Sequence, residues 1–399
     1  MTHSNIQNPQ HSPSHPTKYK RHRWLWLLPT VIGIGIISWI ILNSAKTKHD
    51  AKETEREKQT LLISAQNIGS NANCYIISEA GKYIFKTVKG NSEESVGNVH
   101  SAEVLWESFG TNVQPKEGDL IQMVAYADGN IAFQASDKKG NAVIAAKDAK
   151  GKILWSWHIW LTDQPKRQTY NNYAGILMDR NLGATCASPG EAESLGLLYQ
   201  WGRKDPFLGS SSISKSVMAK STIKRPQVVQ SNSYVGTIEY ATENPTTFII
   251  GNDINYDWHY SGSEYIDNTR WTESNKRKSI YDPCPAGWRV PDGDEYGVWA
   301  KALGSSMRFT DPNSYITAHE GINFLKIFGP DHCIWYPAAG YLCKYGLLDV
   351  GRFGHYWSAS QEDWSHVAYY LNFNYKGYIN PMENYNICSY ACSVRCVEE

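Results

Sequence analysis

The stretch ILWSWHIWL, Ile153 to Leu161, decides how the first half of the chain is organised. Alternation at period two places Trp155, Trp157 and Ile159 on one face and Ser156, His158 and Trp160 on the other. This is the signature of a strand, and similar runs precede it: NCYIIS, KYIFKTV, AEVLWESF, DLIQMVAYA, NIAFQAS and NAVIAAK. Turn-forming pieces separate them, namely EAG, KGNSEES, GTNVQPKEG, ADGN and DKKGN. Asp128-Gly129 supplies the positive φ of a tight hairpin. Seven such runs in roughly ninety residues predict an all-β, sandwich-like domain over 66–162. His158 is titratable, but no carboxylate or cysteine is spaced to partner it, and it reads as structural.

Bulk properties bound the partners. The 399 residues carry 39 Lys plus Arg against 39 Asp plus Glu, so net charge gives no reason to expect nucleic acid. Trp (15) and Tyr (25) outnumber Phe (10), which suits aromatic β cores and half-buried walls of wet binding surfaces. Ahead of the folded part, WLWLLPTVIGIGIISWIIL, Trp24 to Leu42, has no charge over 19 residues, nearly enough to span a bilayer core. Lys18, Lys20, Arg21 and Arg23 stand directly before it. The expectation is a basic cytoplasmic tail over 1–23 and a single-pass transmembrane signal anchor over 24–42. A charged helical stalk over 43–65 follows, with everything beyond it exported. The lipid bilayer is then a partner through 24–42, and the setting is an inner membrane with the later domains periplasmic. The alternative is a cleaved signal peptide and a surface or secreted protein, although ILNSAKTK is a poor cleavage site. The first cysteine is Cys74, which leaves none for lipid acylation.

After a polar linker, TDQPKRQTYNN, a second region over 170–399 shows an α+β pattern. In SPGEAESLGLLYQWGRKDPF, Ser188 can cap, Pro189 suits the first helical position, and Glu191 completes a capping box. Leu195, Leu198 and Tyr199 then form an apolar helical stripe. In YDPCPAGWRVPDGDEYGVWA, Tyr281 to Ala300, Asp292 caps a second helix, with Asp294 and Glu295 complementing its dipole. Val298, Trp299, Ala302 and Leu303 would be its buried face. Between the two lies a Ser/Thr/Asn-rich insertion, about 209–275, whose acidic residues match no calcium loop. From Cys333 onward the chain is again strand and turn. Eight cysteines are present without a C-x-x-C or an H-E-x-x-H. In an oxidising compartment they would be structural. Cys388 and Cys392 are spaced for one helical face, but two ligands do not make a zinc site. Whether Cys284 reacts, holds a metal or staples the chain stays open on these grounds.

Five segments in fixed order, LMDRNLGAT, GLLYQWGRKDPF, YDPCPAGWRVP, YWSAS and SVRCV, cover Gly175 to Val397. Together they resemble the Fibrobacter succinogenes major paralogous domain family, which implies a C-type-lectin-like fold related to the formylglycine-generating enzymes. ANCYII, VLWESFG and GNAVIAAKDAKGKILWSWHIWLTD resemble the β-domain that accompanies it in Bacteroidetes surface proteins. The resemblance implies an extracytoplasmic cell-envelope protein, often adhesin-like or fimbria-like. It also implies that Cys284 pairs with Cys396. Closing a loop of about 110 residues would contribute on the order of 4–5 kcal/mol in the chain-entropy model. Cys333 with Cys343 and Cys388 with Cys392 are further pairings that sequence leaves open, and Cys74 and Cys186 would be free, buried thiols. Surface members of the family are commonly lipoproteins, and this chain departs from them in lacking the acylated cysteine.

The function expected is recognition or adhesion, the binding of a glycan or an envelope protein without catalysis or cofactor. The candidate ligand residues are Trp201, Arg203, Trp258, Tyr260, Trp271 and Trp335. Pockets that pair aromatic walls with a few polar groups suit sugars. The main alternative is a structural, fimbria-like subunit assembling through its β-domain. An oxidoreductase of the formylglycine-generating kind would need a reactive thiol, with Cys388, Cys392 and Cys396 the cluster to suspect.

Overall fold

The computed structural model describes residues 28–213, 226–252, 256–260, 270–273, 277–304, 315–324, 334–361, 367–384 and 387–399. The chain divides into two units, Met1–Glu57 and Lys58–Glu399. Helix α1, Leu28–Ser64, includes the charged run expected as a helical stalk. Among the described residues no helix is long and apolar enough to cross a membrane. The expected anchor, Trp24 to Leu42, lies outside the residues whose side chains are described. In the second unit, Leu61 seals a small apolar cluster with Ala125 and Ala132.

All seven expected strands form, joined by a two-residue strand at the start. They are β1 (Gln66–Asn67), β2 (Cys74–Ile77), β3 (Gly81–Lys86), β4 (Ser101–Ser108), β5 (Ile121–Ala127), β6 (Asn130–Ala135), β7 (Gly140–Lys147) and β8 (Ile153–Leu161). One sheet runs β1-β3-β6-β5 and the other β2-β8-β7-β4. The β5–β6 hairpin turns through Asp128 and Gly129 at φ 47° and 76°, as the dipeptide demands. Phe85, Ile131, Phe133, Trp155, Trp157 and Ile159 fill the space between the sheets. The other face of β8 does not meet water. Trp160 joins Cys74, Met178, Leu182, Tyr199, Trp201, Trp357 and Cys396 in a second apolar cluster built mostly from the C-terminal region. One strand thus serves two cores.

The presumed linker is structured. Arg167–Tyr170 pairs with Gly175–Met178 as a hairpin, and this continues through Val397–Glu398 to Trp288–Arg289 as one four-stranded sheet. The largest sheet orders Gly346–Leu348, Tyr341–Cys343, Ala391–Ser393, Phe353–Gln361, Ala368–Asn374 and Ile379–Glu383, with Leu198–Gln200 also paired to Ala391–Ser393. Tyr315–Ala318, Gly321–Phe324 and Ile334–Pro337 make a three-stranded sheet. Within the insertion, Val228–Gln230 pairs in parallel with Phe248–Ile250 around helix α2, Ile238–Glu243. The region is more β than the α+β expectation.

Both expected helix starts are corrected. The stripe after Ser188 yields one 3₁₀ turn, Ala192–Ser194, and then the strand Leu198–Gln200. The cause is Gly196, held at φ 74°, which no continuing helix can accommodate. Leu198, Tyr199 and Gln200 are buried on every side, so their helix-like spacing carried no facial information. The second helix, α3, spans Val298–Leu303 with Gly297 rather than Asp292 at its N-cap. Asp292 pairs instead with Arg289 at 2.8 Å. Val298, Trp299 and Ala302 are buried as expected.

Candidate functional site

Most of the aromatic residues singled out as ligand contacts form a buried frame. Trp201 donates its indole N–H to Ser358 O (2.8 Å), Trp258 to Trp201 O (2.6 Å) and Trp271 to Arg203 O (3.1 Å). Arg270 forks onto Asp257 and lies 4.6 Å from the Trp201 ring centre and 5.1 Å from that of Trp258. Arg203 donates to Gln200 Oε1 and to the carbonyls of Thr247, Ala241 and Asn244, which anchors the insertion to the main fold. Burial pushes its guanidinium down to about 10. The structure thus gathers Trp201, Arg203, Trp258 and Trp271, all buried. Trp335 is buried elsewhere, its carbonyl accepting from Arg395 Nη1, and Tyr260 is half-buried beside Gly236. Five of the six offer a ligand almost no surface in this arrangement. The aromatic excess went into walls that hold loops down.

Cys284 is a staple. It is bonded to Cys396 across 112 residues, as the resemblance implied. The segment around it is pinned from both sides. Asp282 accepts from the backbone N–H groups of Cys284 and Val290, both at 2.8 Å, and burial pushes its carboxyl up to about 6. Lys278 Nζ donates to three carbonyl oxygens, those of Cys284 (2.7 Å), Pro285 (2.8 Å) and Trp288 (2.7 Å). From the sandwich, Asn73 donates to Ile280 O and Asp282 O and accepts from Trp155 Nε1. Cys388 and Cys392, whose pairing the sequence leaves open, carry thiols, and Cys392 sits in a strand, not on a helix. Cys343 is a free thiol directed at Gly346 O, so the pairing with Cys333 that the sequence leaves open is not made. Cys333 itself lies outside the described residues. Burial raises the Cys74 and Cys388 thiols far above their ordinary value, which makes them poor nucleophiles. Among the described residues no group of three His, Cys, Asp or Glu side chains could hold a metal.

A concave surface lies between the sandwich and the C-terminal region. A cleft of about 510 Å³ is lined by Phe109, Thr111 and Lys139 on one side and Thr185, Cys186, Ser188, Glu191 and Glu193 on the other. Phe109 and Thr111 follow β4 in a turn set by Gly110 at φ 71°, whose N–H bonds Ser108 Oγ. Lys139 precedes β7 and is paired with Asp163, just past β8. The opposite wall is the segment expected as a helix start. No helix forms there, Glu191 at the start of the 3₁₀ turn makes no side-chain cap hydrogen bond, and both Ser188 and Glu191 line the cleft. Thr185 N–H bonds Glu193 O, and Glu191 N–H bonds Ser188 O, which ties the wall into a compact turn. A recess of about 20 Å³ adjoins it, shares Thr111 and Glu193, and is also lined by Ser108, Asn141, Gly183 and Gly196.

The recess is large enough for about one water molecule. Asn141 bridges Gly183 O and His158 Nε2, so His158 supports a wall of the recess from within the core. Burial holds His158 down to about 3, and it stays neutral. Cys186 is the half-buried thiol of the cleft. Burial pushes that thiol up, the Ser188 N–H hydrogen bond opposes it, and the charges of Glu193, Arg180 and Glu191 act on it in opposite senses. The cleft therefore holds hydroxyls, carboxylates, an aromatic edge and an unactivated thiol. That set can exchange hydrogen bonds with a hydroxyl-rich molecule.

Sequence reasoning named none of these residues as ligand contacts. In the sequence Ser188 and Glu191 read as capping residues and Cys186 as a free, buried thiol. The available signal was the glycine-broken helix pattern, which released polar side chains from a structural task. No protein-family model, curated protein or solved structure matches the chain.

Proposed function

We propose that this is an extracytoplasmic recognition protein that binds a saccharide in the cleft between its sandwich and C-terminal region. The observation that carries the reading is the lining of that cleft. Phe109 offers an apolar surface for a sugar's C–H face, while Thr111, Thr185, Ser188, Glu191 and Glu193 can exchange hydrogen bonds with its hydroxyls. A volume of about 510 Å³ lies within the range of small-molecule sites. The Cys284–Cys396 bridge supports an oxidising compartment. The uncharged run Trp24 to Leu42 with its preceding basic residues supports a membrane tether, with the charged helix as stalk.

The test is retention of the full chain, held in detergent, on a panel of neutral, acidic and amino oligosaccharides. The expected result is specific retention, weakened at least tenfold by Phe109→Ala and by Thr185→Ala combined with Ser188→Ala. Phe109 also packs on the sandwich core, so the double hydroxyl variant guards against a folding defect. No retention on any saccharide would remove the reading.

A further inference from the structure

The charges around the cleft do not balance. Its one cationic lining residue, Lys139, is engaged by Asp163. Arg180, behind the wall, bonds Asp163 at 3.0 Å and Asp179 at 2.9 Å. Lys138, whose Nζ lies 5.9 Å from the Phe109 ring centre, is paired with Asp119. Two lining carboxylates remain, Glu191 and Glu193, and neither has an ion-pair partner among the described residues. They act on one space, because both line the same cleft two residues apart in one compact turn. The cleft is thus a mixed pocket with an aromatic side, three hydroxyl-bearing residues and a surplus of about two negative charges, open to solvent, and its one lining cation, Lys139, is already engaged by Asp163.

Resting on the saccharide reading above, we infer that the ligand is a glycan bearing free amino groups, a de-N-acetylated hexosamine oligomer. A neutral sugar can donate hydroxyls to Glu191 and Glu193, but an ammonium also supplies the missing charge. Charge-assisted hydrogen bonds are roughly twice as strong as neutral ones. N-acetylation would remove the charge and set a methyl group against carboxylates. Uronic acids would be repelled. The hydroxyls of Thr111, Thr185 and Ser188 remain for ring hydroxyls, and Phe109 for the C–H face. A lysine side chain of a peptide would satisfy the carboxylates but would leave the three hydroxyls and the aromatic surface unused, which favours the sugar.

The experiment is calorimetric titration of the full chain with a glucosamine tetramer, its fully N-acetylated counterpart, a neutral glucose tetramer and a tetralysine peptide, at low and high salt. The glucosamine tetramer is expected to bind at least tenfold more tightly than the other two sugars. Salt should weaken it, and Glu191→Gln with Glu193→Gln should lower affinity at least tenfold without moving the melting temperature. Equal affinity for the three sugars, or binding that survives the double substitution, overturns the amine assignment and leaves the saccharide reading standing. Failure of every sugar overturns both. Tight tetralysine binding without sugar binding also overturns the assignment and makes the cleft a peptide site.

Discussion

Lys278 shows how single buried side chains set the local fold. Its ammonium satisfies three carbonyls of the Cys284–Trp288 turn at once, so Lys278→Met leaves those acceptors without a donor. A loss of about 2–4 kcal/mol in urea unfolding is expected, with the disulfide still formed on a mass map of the thiols. Two histidines set the acid behaviour. His158 and His355 are held down to about 3 by burial, against 6.5 for the free side chain. As pH falls below 6.5 the unfolded chain takes up these protons and the native chain does not, so stability is lost until about pH 3. Asp282 acts in the opposite sense. Its carboxyl is raised from 3.8 to about 6, so its contribution is complete below 3.8 and disappears as pH rises through 6. His355 is ringed by Tyr341, Phe353 and Tyr370, and phenylalanine fits such surroundings. His355→Phe is expected to flatten the decline between pH 6 and 4 by about 1.4 kcal/mol per pH unit, measured by urea unfolding across that range. An unchanged slope would refute the assignment.

At the scale of elements, the strands of the sandwich were legible because alternation and turn residues agree. The alternation in Ile153–Leu161 even sorted the side chains correctly between two faces. What sequence did not reveal was that both faces would be buried, since that depends on a region far along the chain. The segment after Ser188 misled for a related reason. Leu195, Leu198 and Tyr199 match a helical stripe, but Gly196 sits between them in a left-handed conformation, where an added Cβ would meet Leu182 O at 2.7 Å. Gly196→Ala is expected to cost about 2–3 kcal/mol and to weaken ligand retention in the adjoining cleft. Loss of stability with full retention would show the turn and the cleft to be independent. The cleft itself was illegible because it needs Phe109–Thr111 and Lys139 beside Thr185–Glu193, a juxtaposition no local pattern encodes. The Trp candidates are buried, because tryptophan abundance in a sequence does not distinguish a wall from a surface.

Within the unit Lys58–Glu399, the sandwich and the C-terminal region share an apolar cluster in which Cys74 and Trp160 meet Leu182, Tyr199 and Trp357. Asn73 and Trp155 tie the sandwich to the stapled segment by hydrogen bonds. The two parts are therefore expected to melt together, in one calorimetric transition, and Asn73→Ala should lower that transition as a whole. Two separated transitions would show that the shared cluster does not couple them. Reducing the Cys284–Cys396 bridge should lower the same transition by an amount corresponding to about 4–5 kcal/mol.

The double duty of β8 also constrains the order of events during synthesis. The sandwich emerges first with Trp160 and Cys74 on an outer face that has nothing to cover it. The strand Ala391–Ser393 and the sulfur of Cys396, which complete that cover, emerge near the end. Until then a nascent sheet carries a sticky indole-rich flank, so a chain halted after residue 162 would be a client for chaperones and proteases rather than a usable half-protein.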